Sequence, residues 1–313
     1  MNKQITDTVL MVRPVAFVAN KDTMINNYFQ QEMEGQESED VQAKALKEFN
    51  GLSTLLAEKG VKTLIFDCRI DPRTPDSIFP NNWVSFHEDG RVFVYPMFAP
   101  NRRLERRNDL LETLRNQYQL NQFVDLTGWE EKGKFLEGTG SLVLDRPNKV
   151  AYAALSDRTM HEVIDEFEAQ SAFTVVRFTA YQTVGEKRLP IYHTNVMMYV
   201  GEHFAVICLH SIDLPSEREN VKEHLFRTGK EIIEITEKQV LNFAGNGLQV
   251  INKNREKLII MSTTAFQSLD KFQKDQLSKH GQIIHAPLNT IEQFGGGSAR
   301  CMMAEVFLPP KEL

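Results

Sequence analysis

Short apolar runs punctuated by turn residues recur along the 313-residue chain, and four of them superimpose. Residues 82–94 read as strand, turn, strand, with Trp83, Val84 and Phe86 ahead of an Asp89-Gly90 turn and Val92, Phe93 and Val94 behind it. Residues 140–152, 195–206 and 247–260 have the same shape. Each pair is followed by a helix-compatible stretch, at 101–119, 157–170, 216–228 and 267–280. A short apolar strand then closes each unit, at 123–126, 174–178, 231–235 and 282–286. The unit is therefore β-β-α-β, with anchors at 82, 140, 195 and 247 that lie 58, 55 and 52 residues apart.

A fifth unit is split across the termini. Residues 301–307 supply one strand, and residues 12–18, a helix at 40–59 and a strand at 61–66 supply the rest. Pairing the last strand with the first module closes a ring and removes open sheet edges. The pattern predicts a single α/β domain over residues 1–313, a five-module ββαβ propeller of pseudo-fivefold symmetry. Residues 1–8 and 183–190 read as mobile segments, the second as a surface loop around Gly185 that could also close as a lid.

Composition narrows the function. With 42% hydrophobic and 25% charged residues the chain matches a soluble globular protein. A net charge of −6 disfavours nucleic acid or an anionic membrane as partner. The one basic cluster, Arg102, Arg103, Arg106 and Arg107 around Glu105, reads as the solvated flank of a helix. No run approaches a transmembrane length and no secretory leader is evident, which points to the cytoplasm. Three cysteines form neither a disulfide framework nor a zinc set; Cys68 and Cys208, in apolar runs, read as core.

Cys301 stands apart. It follows Gly295-Gly296-Gly297-Ser298-Ala299-Arg300, where a flexible lead and a neighbouring guanidinium would expose the thiol and stabilise its thiolate. The glycine run lacks the Gly-Lys-Ser/Thr of a phosphate loop. In a closed ring, equivalent positions of all modules meet at the axis. Asn82, Glu137, His193, Asn195 and Cys301 lie at or within three residues of those positions, so residues more than 200 apart in sequence become neighbours. A nucleophile, an imidazole and a carboxylate then share one site, which reads as a cysteine enzyme.

Four segments together, 78–83 (Ile-Phe-Pro-Asn-Asn-Trp), 137–140 (Glu-Gly-Thr-Gly), 193–195 (His-Thr-Asn) and 296–302, resemble the guanidine-modifying pentein enzymes. That family includes arginine deiminases, amidinotransferases and dimethylarginine hydrolases, and the chain looks most similar to citrulline-utilisation hydrolases. The resemblance covers nearly the whole chain in order. It implies that Cys301 attacks the central carbon of a guanidino or ureido group and that His193 protonates the departing amine, then activates water. Glu137 would orient substrate N–H groups and favour protonated His193. Neither a metal nor an organic cofactor is implied, and the partner would be a small amino-acid substrate. The sequence leaves a homo-oligomer open.

The chain departs from the deiminase pattern, which carries aspartates where Asn82 and Asn195 stand. Carboxylates grip a cationic guanidinium, whereas an amide offers both donor and acceptor to a neutral urea. The expected reaction is hydrolysis of a citrulline-like ureido group to ornithine, carbon dioxide and ammonia. Deiminase or amidinotransferase action on a cationic guanidine is the alternative, and a non-catalytic binding propeller the alternative of another class. Asp76 matches a position that contacts the ligand α-ammonium in dimethylarginine hydrolases. Arg300, then Arg188 and Arg158, are the candidates for its carboxylate.

Overall fold

The computed structural model describes residues 3–31, 35 and 37–311 and contains five three-stranded sheets and one separate hairpin. The first sheet holds β1 (Thr8–Arg13) and, parallel to it, β2 (Lys62–Asp67). Helix Ser38–Glu58 makes the crossover between them and buries Val41, Ala45, Phe49, Leu52 and Leu56, the stripe expected of a 3.6-residue period. The second sheet is β3 (Val84–Phe86), β4 (Arg91–Val94) and β5 (Gln122–Asp125). The third is β6 (Val143–Asp145), β7 (Val150–Leu155) and β8 (Thr174–Thr179). After the hairpin β9 (Tyr181–Val184) and β10 (Lys187–Pro190) come β11 (Met198–Val200), β12 (Phe204–Ile207) and β13 (Glu231–Glu234). The last full unit is β14 (Leu248–Ile251), β15 (Lys257–Ser262) and β16 (Gln282–Ala286).

In each unit the first two strands are antiparallel and the third runs parallel to the second, after a helix. A hairpin needs only a turn, while a parallel return needs a crossover, so the β-β-α-β order dictates this pairing. The split unit obeys it as well: β17 (Ala304–Glu305) is antiparallel to β1, completing the sheet from the far end of the chain.

Burial falls from the first strand of each sheet to the third. All of Val84–Phe86 is buried, whereas Gln122, Phe123 and Asp125 of β5 are exposed. First strands of neighbouring sheets also approach each other, β17 with β3, β6 with β11 and β11 with β14. They therefore lie on the inside, and the helices and third strands lie outside.

Four expectations change. Residues 4–6 are fixed rather than loose: Gln4 donates to the carbonyls of Leu144 and Val200, and Thr6 to that of Val306, joining the inner strands; Met1 and Asn2 lie outside the described residues. The N-terminal strand is Thr8–Arg13 instead of 12–18, because residue 14 is a proline without an N–H for the ladder. The C-terminal strand shrinks to Ala304–Glu305, with Cys301 in the turn ahead of it. The helix expected over 101–119 is broken by extended Arg106 and Arg107 into a 3₁₀ turn, Pro100–Glu105, and a helix, Asn108–Gln117.

Candidate active site

The anchor residues sit in tight turns just ahead of the inner strands. Pro80–Asn82 and Thr194–Val196 are 3₁₀ turns, and Gly138–Ser141 is a single helical turn. Each turn closes on a local backbone bond, such as Trp83 N–H to the Pro80 carbonyl and Met197 N–H to that of Thr194. The turns press together. Gly138 has φ +48°, and a Cβ there would meet the Asn81 carbonyl at 2.4 Å. A Cβ at Gly140 would fall 2.5 Å from Asn82 Nδ2 and 2.9 Å from His193 Nδ1. The Gly-Thr-Gly after Glu137 thus lets the first three turns pack together.

His193 Nε2 lies 2.7 Å from Glu137 Oε2, while Phe98 N–H donates to Glu137 Oε1 at 2.9 Å. Both side chains are buried. Burial pushes the His193 imidazole down to about 4, a fall that Glu137 opposes and Arg158 and Arg102 assist. Burial pushes the Glu137 carboxyl up, but Arg158, His193 and Arg102 outweigh it and hold the group well below the usual carboxylate range. The free protein at neutral pH therefore carries a neutral His193 beside an ionised Glu137. Glu137 acts toward the protonated form of His193, the direction expected of it, and burial outweighs that pull.

The Cys301 sulfur sits among amides. Asn195 Nδ2 donates to it at 3.4 Å and Asn246 Nδ2 at 3.2 Å, while Asn195 Oδ1 is buried without a hydrogen-bond partner among the described residues. The glycine run ahead of it is packed rather than flexible. Gly296, at φ +65°, ends helix Asn289–Gly295, and its carbonyl accepts from Tyr192 Oη at 2.7 Å. Asn82 donates to Asn81 Oδ1 at 3.1 Å and accepts from Arg102 at 2.8 Å.

Arg102 is the residue the sequence pattern misplaced. It is buried, with a two-pronged grip on Glu105 (2.9 and 2.9 Å) and a third contact to Asn82. Arg158 is buried too, donating to the Thr23 carbonyl and Asn26, lying over the Tyr192 ring and approaching Glu137 at 3.5 Å. Asp76 accepts from Asn20 at 2.7 Å and Thr23 at 3.1 Å, and its Oδ1 has no hydrogen-bond partner among the described residues. Burial raises the Asp76 carboxyl, with Arg102 acting against it.

Asp76, Phe79, Asn82, Arg102, Arg158, Tyr192, His193 and Cys301 line one small cavity with Thr23, Asn27 and Gly295 to Gly297. Arg300 does not. Its guanidinium donates to the Met303 carbonyl (2.8 Å) and Glu305 (2.7 Å), so the buried carboxylate draws it away from the sulfur. Arg188 pairs with Asp213 and Glu237 on the exposed β9–β10 hairpin. Cys68 and Cys208 are buried away from the cavity. His87 is buried and hydrogen bonded to Ser85.

The sequence profile described as "N,N dimethylarginine dimethylhydrolase, eukaryotic" matches residues 13–308. The chain belongs to this family, within the guanidine-modifying penteins. Its relatives hydrolyse guanidino C–N bonds, and the chain is accordingly an enzyme acting on an amidine-type C–N bond. No curated protein matches the sequence.

Among solved structures, the product-bound N-terminal domain of ArgZ, an arginine dihydrolase of the cyanobacterial ornithine-ammonia cycle, superimposes with a TM-score of 0.74. Its identity is 18%, with 96% of this chain and 98% of that one covered. Against full-length ArgZ the identity is 17%, and this chain spans 41% of that protein. AgrE in binary complex with L-arginine gives 0.74 at 18% identity, covering 97% and 41% of the two chains. An adduct of dimethylarginine dimethylaminohydrolase with S-methyl-L-thiocitrulline gives 0.64 at 16%, covering 97% and 100%. At these identities the likeness concerns the fold.

Proposed function

We propose that this enzyme hydrolyses the ureido group of citrulline or a close analogue, giving ornithine, carbon dioxide and ammonia, with Cys301 as nucleophile, His193 as acid–base and Glu137 as its partner. The observation that carries the reading is the amide lining of the sulfur: Asn195 and Asn246 beside it, Asn82 in the same cavity, and one buried Asn195 oxygen free to accept a substrate N–H. Neutral amides match a neutral urea without leaving a carboxylate unpaired. We further infer that the five sheets close into a propeller of one domain, and that the enzyme works in the cytoplasm.

The chemistry follows from the protonation states. Neutral His193 takes the thiol proton as Cys301 attacks the ureido carbon. The C–N bond to the substrate amine breaks, and His193 returns the proton to that nitrogen as ornithine leaves. His193 then takes a proton from water, the hydroxide adds to the S-carbamoyl carbon, and the C–S bond breaks with its electron pair returning to sulfur. Carbamic acid departs and separates into carbon dioxide and ammonia, and His193 returns its proton to the sulfur. Asp76 would hold the substrate α-ammonium through its unpartnered Oδ1, and Arg158 or Arg102 its carboxylate.

A second reading has its own support. Asp76 lines the cavity and Glu137 adjoins it through His193, and fold neighbours include an arginine dihydrolase and a complex with L-arginine. Product analysis with L-citrulline and L-arginine supplied separately decides. Ornithine from citrulline alone supports the ureido reading. Ornithine from both substrates replaces it with a dihydrolase, and citrulline from arginine with a deiminase.

A further inference from the structure

We infer that Asn246 is a catalytic residue of the fourth module, holding the negative charge on the Cys301 sulfur when the thiolate forms and when it is released. This deepens the cysteine-hydrolase reading and rests on it. The fourth module supplies no acid, base or nucleophile, and its anchor region in sequence offers only small residues around Asn246. The structure brings that asparagine to the axis. Asn246 N–H donates to the Phe243 carbonyl at 2.9 Å, closing the turn that delivers it. A Cβ on neighbouring Gly245 would lie 2.3 Å from the Val196 carbonyl, so only glycine admits this turn against the third one.

Four contacts involve the amide. Its Oδ1 accepts from Arg300 N–H at 3.0 Å and from the Cys301 thiol at 3.7 Å, and its Nδ2 donates to the Asn195 carbonyl at 2.9 Å and to Cys301 Sγ at 3.2 Å. Rotating the amide by half a turn would set Oδ1 against the Asn195 carbonyl oxygen and leave the Arg300 N–H facing a donor. The orientation is therefore locked, and one N–H aims permanently at sulfur. Asn195 Nδ2 approaches the same atom at 3.4 Å. Two donors fixed before reaction stabilise the charge where it develops, and cost no reorganisation when it does. They act twice: when the thiol loses its proton to His193, and when the C–S bond breaks and the electron pair returns to sulfur.

The test separates this role from packing. Asn246→Asp keeps the shape and the acceptor for Arg300 N–H while removing the donor and adding negative charge. Asn246→Ala removes both. The readout is alkylation of Cys301 by iodoacetamide across pH, located by peptide mass spectrometry, with thermal melts in parallel. Alkylation needs no substrate, so it reports on Asn246 even if neither citrulline nor arginine is turned over. In Asn246→Asp the rate at neutral pH should fall about tenfold or more, and its rise should move to higher pH. Asn246→Ser, which keeps a hydroxyl donor, should recover part of the rate. A parental alkylation profile in Asn246→Asp would overturn the assignment, even if turnover fell. So would a rate loss matched in Asn246→Ser and tracking the melting temperature, which is the signature of packing alone.

Discussion

His193 Nε2 and Glu137 Oε2 stand 2.7 Å apart in a space closed to solvent, yet the imidazole stays neutral at physiological pH. The carboxylate raises the histidine, but burial and two buried arginines lower it further. Glu137 in turn is ionised because those arginines and His193 surround it. On the proposed mechanism the pair enters the reaction with a proton acceptor in place.

That arrangement fixes a pH dependence. The His193 folded value of about 4 lies below its ordinary 6.5, so the base form is lost only as pH falls through about 4. The acid limb of kcat/KM should have its midpoint near 4 rather than 6.5. The same depression means that the contribution of His193 to stability is full above 6.5 and declines as pH falls from 6.5 towards 4. A limb centred near 6.5 would show that burial does not depress His193 in the working enzyme.

Replacing Glu137 by Gln removes the group that raises His193 and orients its ring. The value of kcat should fall by about a hundredfold or more, and the acid limb should move to lower pH. An unchanged pH profile would sever Glu137 from the imidazole.

Cys301→Ala should abolish turnover while the melting temperature stays close to that of the parent, because the sulfur makes only weak contacts. Retained turnover would end the covalent mechanism.

The two asparagines should govern substrate charge. Asn82→Asp together with Asn195→Asp sets carboxylates in the cavity, which favour a cationic guanidinium over a urea. The ratio of kcat/KM for arginine over citrulline should rise by about tenfold or more. A ratio that stays put would remove the amide argument for a neutral substrate.

Arg102 should report on stability as well as binding, and Asp76 on binding. Arg102→Ala strands the buried Glu105 and releases Asn82, for a loss of about 3–5 kcal/mol measured by denaturant unfolding. Asp76→Ala should raise KM far more than it lowers kcat; a pure kcat loss would take Asp76 out of the binding role. Arg300→Ala should lower stability through Glu305 and leave KM near its parental value.

Much of this molecule was written in local pattern. Alternating apolar runs, turns and helix stripes marked the four complete β-β-α-β units and the split fifth one, since those signals depend only on neighbours in sequence. Cys301, His193, Glu137, Asn82 and Asn195 could be named as candidates because they fall at equivalent positions of the repeat. The repeat says nothing about residues outside the anchors. Arg102 lay in a stretch whose spacing suits a solvated helix, and only the break at Arg106-Arg107 together with the buried Glu105 turns it inward. Arg300 stood beside the cysteine in sequence, yet Glu305 draws its side chain away. Asn246 and Asn20 carried no motif, and their places follow from turns packed against distant backbone. Sequence by itself determined the order of elements and the chemical groups available at the turns ahead of the inner strands. Tertiary structure decided which charges pair and which stay unpartnered, because desolvation and Coulomb energy depend on distances that chain order does not contain.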